Sequence, residues 1–91
     1  MSLFLVHAGF YDENVSGGFY ESHTNYFVVA EDVKDAKSKA KEIPEYKKKK
    51  MHIDGIKELD AVNGYKIVLE RNEDGTQASG SKYSYDDVKK I

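Results

Sequence analysis

The apolar residues of this chain change rhythm twice, and those two changes leave few folds open. Ser2 to Phe10 (SLFLVHAGF) is a nearly continuous run of apolar and β-favouring residues, which suits a strand buried on both faces better than a surface strand. Residues 11–18 (YDENVSGG) collect Asp, Asn, Ser and two Gly, the residues that supply turns. Phe19 to Ala30 then alternates with period two. Phe19, Glu21, His23, Asn25, Phe27 and Val29 fall on one face, and Tyr20, Ser22, Thr24, Tyr26, Val28 and Ala30 on the other.

Near residue 31 the period becomes helical. Val33, Ala36, Ala40 and Ile43 form a stripe, with Lys34, Asp35, Lys37 and Lys41 outside it. Asp32 is placed to cap the helix, Asp35 lies in the first turn where the helix dipole favours an acid, and Pro44 ends the segment. Met51 to Val62 returns to strand character. Asn63-Gly64 is a hairpin signal, because both residues accept the positive φ of a type I′ turn, and Tyr65 to Arg71 is the expected partner strand.

The order β-β-α-β-β predicts an α+β fold: a four-stranded mixed sheet with one helix packed on one face, its crossover parallel and its hairpins antiparallel. The other sheet face is left bare. A single domain is expected over residues 1–71, followed by a polar tail over 72–91 in which Ser84 caps a short helix with Asp86 and Asp87 in its first turn. A chain of 91 residues builds one core, and here that core must come from the first seventy or so positions. Small cores without disulfides or metals are commonly supplemented by oligomerisation, so the bare face is expected to pair with a second copy as a homodimer.

Composition narrows the function classes. There is no Cys, which removes thiolate nucleophiles, zinc ribbons and iron–sulfur sites and fits a reducing, cytoplasmic setting. The amino-terminal run, interrupted by His7, reads as neither a signal peptide nor a membrane span. Net charge is −2, yet residues 31–50 hold eight Lys against five acids. Thirteen of the fourteen cations are Lys, which lacks the planar fork of Arg, and this disfavours sequence-specific nucleic-acid readout.

Two segments, Glu21 to Phe27 (ESHTNYF) and Met51 to Ile67 (MHIDGIKELDAVNGYKI), resemble the bacterial family catalogued as domain of unknown function 1543. The matching positions are Gly9, Glu21, His23, Phe27, His52, Ile53, Asp54, Gly64 and Tyr65, within residues 2–71. Asn63 stands where the family usually has Asp, which preserves the turn, and Gly55-Ile56 replaces a bulkier pair. The resemblance implies no activity.

Four polar residues carry the most chemistry. Glu21 with His23, and His52 with Asp54, are each separated by two along a strand and so project on one face. Imidazole with carboxylate suits zinc or iron, or a proton-transfer pair. Neither spacing is a zinc-finger or HExxH pattern, and the bland alternative is a set of polar pairs on the wet side of the sheet. His7, isolated in an apolar strand, reads as a hydrogen-bonded structural residue. Lys47, Lys48, Lys49 and Lys50 form a basic patch beside Tyr46 that could contact phosphates while Tyr46 stacks on a base, although Glu42 and Glu45 dilute it. Tyr11, Tyr20, Tyr26 and Tyr65 are candidates for lining the bare face. The leading expectation is a non-enzymatic binding or self-association module with no cofactor, no metal and no membrane or nucleic-acid partner. The alternatives are an enzyme or metal-binding site built from Glu21, His23, His52 and Asp54, and a weak nucleic-acid binder acting through Lys47 to Lys50.

Overall fold

The computed structural model describes residues 1–91. Three long strands, β1 (Ser2–Tyr11), β2 (Glu21–Ala30) and β3 (His52–Leu59), form one sheet in the order β2-β1-β3. Both pairings of β1 are antiparallel, so β2 and β3 run in the same direction on either side of it. The crossover between them is therefore parallel in direction, as expected, but it passes over β1, and no neighbouring strands are parallel. The expected mixed sheet is corrected to an antiparallel one.

The fourth strand is also corrected. Asn63 and Gly64 do adopt positive φ (52° and 81°), but the hairpin they close holds only β4 (Ala61–Val62) and β5 (Tyr65–Lys66), a separate two-stranded piece. Because β3 is paired with β1 only as far as Leu59, Asp60 marks a break between the main sheet and the small hairpin. From Val68 onward every residue is exposed, and of the apolar residues of 65–71 only Ile67 is half-buried.

Helix α1 (Val33–Lys41) begins at Asp32, whose side chain accepts from the Asp35 N–H at 2.7 Å, while Asp35 accepts from the Glu31 N–H at 3.0 Å. These bonds satisfy amide groups that a helix start leaves without partners. The Glu31 N–H also holds the Asp35 carboxyl below its ordinary range; desolvation opposes it, and Lys39 adds to it. Lys39 donates to the Val29 carbonyl at 2.9 Å, tying the helix to β2. Pro44 ends the first helix and also opens a second, α2 (Pro44–Lys48), where its missing N–H costs nothing. Helix α3 (Tyr85–Lys89) carries a reciprocal cap between Ser84 and Asp87.

Alternation along β1 sends Phe4, Val6, Ala8 and Phe10 toward the helices, where all four are buried. Val28 and Ala30 of β2 join Ala36 and Ala40 of α1 over Phe4 and Val6, and Tyr46 of α2 with Met51 packs on Ala8 and Phe10. Tyr26 lies between the two groups, its hydroxyl donating to Glu45 and approaching the Met51 sulfur at 3.7 Å. Burial on both faces of β1 is thus corrected to burial on one, because the helices cover only that side. The opposite face carries Leu3, Leu5, His7 and Gly9, with exposed Phe27 and Val29 beside them on β2. Only 11 of 91 residues are buried, which makes this core small enough for a bound ligand to add materially to stability.

Candidate metal centre

Gly9, near the end of the central strand, faces His23 on β2 and His52 on β3. Residues directly opposite one another share a sheet face, so both imidazoles stand on the open side with nothing between them but the Gly9 backbone. Glu21 lies two residues before His23 and arrives on the same face by period two. Asp54 arrives by a different device. The pairing of β1 with β3 shifts register between His7 and Ala8, so that Asp54 is the extra residue of a β-bulge. The bulge lets Ile53 and Ile56, an odd number of residues apart, both pack against the core while His52 and Asp54 stay on the open face.

All four sequence candidates converge over Gly9. His52 Nε2 lies 2.7 Å from Glu21 Oε1 and 3.1 Å from Asp54 Oδ1. His23 Nε2 lies 3.1 Å from the same Glu21 oxygen and 2.9 Å from Asp54 Oδ2. A Cβ placed on Gly9 would collide with Glu21 Oε1 and fall 2.7 Å from both Asp54 Oδ2 and His52 Nε2. Glycine is needed here for the space above it, since its φ is not in the left-handed region.

Protons alone do not account for this arrangement. Each Nε2 carries at most one hydrogen, yet four nitrogen–oxygen contacts fall within 3.1 Å, so two N–H groups face four acceptor approaches. The Asp54 carboxyl is held below its ordinary range. Desolvation, the largest single influence, pushes the other way, and it is outweighed by a hydrogen bond with Glu21 and by the charge and hydrogen bonding of His52 and His23. A cation would satisfy several of these atoms at once: Glu21, His52 and Asp54 offer ligand atoms that all lie within 4.8 Å of one another, and His23 Nε2 lies within 3.1 Å of the Glu21 and Asp54 oxygens. Donors about 2.1 Å from one ion stand roughly 3.0 Å apart at right angles and about 3.4 Å apart in a tetrahedron. The spacings of 2.7–3.1 Å lie within about 0.3 Å of the first value and about 0.3–0.7 Å short of the second. Side-chain exposures of 29–47% leave the outer side of the cluster open to water.

His7 is also part of this neighbourhood. It faces Asn25 across the sheet, its Nδ1 is 2.7 Å from Asn25 Oδ1, and its ring lies flat against His23 with centroids 4.7 Å apart and planes 6° from parallel. The expected hydrogen bond is present, and the residue is exposed. Two residues from Gly9 on the same strand, it shares the glycine's face by alternation, and that was the signal available in the sequence.

In the basic run, Lys48, Lys49 and Lys50 line one shallow depression opposite Asp12 and Glu13. Lys47 pairs with Glu42 at 2.8 Å, and Lys49 lies 3.9 Å from Glu45 and 4.6 Å from the centre of the Phe10 ring. Tyr46 is buried against Met51 and Phe10, so it has no face to offer a base, correcting that expectation. Of the four tyrosines expected on the bare face, Tyr26 turns to the core and Tyr65 belongs to the separate hairpin, while Tyr11 and Tyr20 are exposed near the Glu21 end of the cluster. No helix is long and apolar enough to cross a membrane.

A protein-family model described as Domain of Unknown Function (DUF1543) matches residues 18–69. That span includes Glu21, His23, His52 and Asp54 and leaves β1 outside. No curated protein and no solved structure matches the chain.

Proposed function

The chain belongs to the DUF1543 family, and we propose that this member is a binding module for a divalent transition-metal ion held by Glu21, His23, His52 and Asp54. The observation that carries the proposal is the convergence of two Nε2 atoms and two carboxylates over a glycine whose missing side chain leaves them room. Mixed imidazole and carboxylate donors suit zinc or iron better than calcium or magnesium, which prefer oxygen alone. Two neutral imidazoles and two carboxylates balance the ion's charge. The water-facing side leaves coordination positions for an exogenous ligand, as in metal sites that bind or activate small oxygen donors rather than purely structural ones.

A structural role for the cluster is the weaker reading. Exposed ion pairs contribute about 0–1 kcal/mol each, which gives no reason for two imidazoles and two carboxylates to be gathered on one face. The test is thermal melting of chelator-treated protein with and without zinc. The melting temperature rises with zinc in the wild type and not in His52→Ala; identical melting of the wild type with zinc and with chelator refutes metal binding.

Self-association through the same open face is a second reading. It is favoured by Phe27, 70% exposed, and Val29, 43% exposed, beside half-buried Leu5. Sedimentation at micromolar concentration tests it, a dimer mass supporting it and a monomer mass refuting it.

A further inference from the structure

We infer that His7 belongs to the metal site as the residue that orients His23, and not as a ligand; the inference rests on the metal-binding reading above. His7 has a donor atom within 4.8 Å of those of His23 and Asp54, so membership of the coordination sphere is the obvious alternative. The ring geometry argues against it. An imidazole directs its lone pair within its own ring plane, and two imidazoles on one ion must therefore have planes that meet at the ion. The planes of His7 and His23 are 6° from parallel, with ring centres 4.7 Å apart, so they do not meet near the cluster.

The same geometry suits a positioning role. His23 projects from an edge strand over Gly9, so no side chain on the central strand directly opposite it limits its ring rotation. His7, one position diagonal to it, supplies the missing wall. His7 is itself fixed, because Asn25 Oδ1 can accept only a hydrogen carried by Nδ1 of the His7 ring, and the 2.7 Å bond holds that ring in place. The chain of support runs from Asn25 to His7 to the face of His23, whose Nε2 then meets Glu21 and Asp54. Outer partners that fix the orientation of a ligand are commonly worth 10- to 100-fold in metal affinity.

The experiment uses cobalt(II) as the probe, with affinity read by competition against a chelator and ligand geometry read from the visible spectrum. It is applied to the wild type, His7→Ala and His7→Phe, with melting in chelator confirming that each variant is folded. Phenylalanine retains a flat ring to stack on His23 but has no nitrogen. The expected result is a loss of about 10-fold or more in affinity and an altered spectrum for His7→Ala, with His7→Phe restoring both. Equal weakening of the two variants shows that the nitrogen of His7 is required and overturns the inference, as does wild-type affinity in His7→Ala; in both cases the metal site itself stands. Absence of cobalt binding by the wild type removes the site and the inference with it.

Discussion

Replacing Gly9 with alanine separates the site from the fold. In an ordinary strand the change is favourable by about 0.5–1 kcal/mol, because alanine has less backbone freedom to lose. At Gly9 the new methyl group falls 2.7 Å from His52 Nε2 and Asp54 Oδ2, where ordinary contact begins at 3.4 Å, so those atoms must withdraw by 3.4 − 2.7 = 0.7 Å, and Glu21 Oε1 by more. All three are the ends of flexible, partly exposed side chains, so they can move at little cost to the fold. A metal ion cannot follow them, because ligand distances hold to about ±0.2 Å. With three of four ligands displaced, affinity should fall at least about 100-fold. At a zinc concentration 100 times the wild-type dissociation constant, the wild type gains about 2.7 kcal/mol, and a variant 100-fold weaker gains about 0.4 kcal/mol. For a domain of this size those gains raise the melting temperature by roughly 11–22 °C and 2–3 °C respectively. The assay is paired thermal melts in chelator and in zinc. Gly9→Ala is expected to match or exceed the wild type in chelator and to lose most of the zinc response. A drop in chelator with the zinc response intact would refute the reasoning, since it would mean that the cluster holds the sheet together and that the ion binds elsewhere.

Three further outcomes follow from the same geometry. Asp54→Asn removes the carboxylate that meets both histidines and should abolish zinc-dependent stabilisation while leaving melting in chelator within a few degrees of the wild type. Phe4→Ala truncates one of the two largest fully buried side chains of the core; a loss of about 3–5 kcal/mol is expected, read as a lowered midpoint in urea unfolding. Tyr26, its pKa pushed up to about 12 chiefly by burial and then by its hydrogen bond to Glu45 and the charge there, should ionise last in a 295 nm titration. Because its folded value lies above the ordinary value of 10.0, the stability it contributes is complete below that pH and is lost as pH rises toward 12; Tyr26→Phe should lose less stability across that window than the wild type.

Local devices were legible in the sequence, and long-range register was not. The Asp32 cap, the break at Pro44, the Ser84 cap and the Asn63-Gly64 turn depend on neighbours within a few residues, and each is present, while the helical stripe holds at Ala36 and Ala40 and fails at Val33, which is exposed. The place of β3 beside β1 depends on which strand edge is free, and no local pattern reports that. Whether Tyr65 to Arg71 adds a fourth strand to the main sheet depends on the same missing information, and only Tyr65 and Lys66 pair, in a separate hairpin.

The site divides along the same line. Glu21 with His23, and His52 with Asp54, could be paired by simple alternation, but their meeting over Gly9 needs the register of two separate strand pairs. The bulge at Asp54 had one sequence trace, the odd spacing of Ile53 and Ile56 around Gly55, which strict alternation cannot bury on one side. His7 stands alone in an apolar run and carries no local signal of a site. Its importance comes from lying diagonal to His23, a relation that only the antiparallel register supplies.

The most direct test of the account is the metal content of the protein itself, measured by native mass spectrometry of chelator-stripped chain after exchange into a modest excess of zinc. One zinc per chain in the wild type, absent from a variant carrying both His52→Ala and Asp54→Asn, is the predicted result. A wild-type spectrum showing only the metal-free mass, or the same zinc-bound mass in wild type and variant, contradicts the central claim.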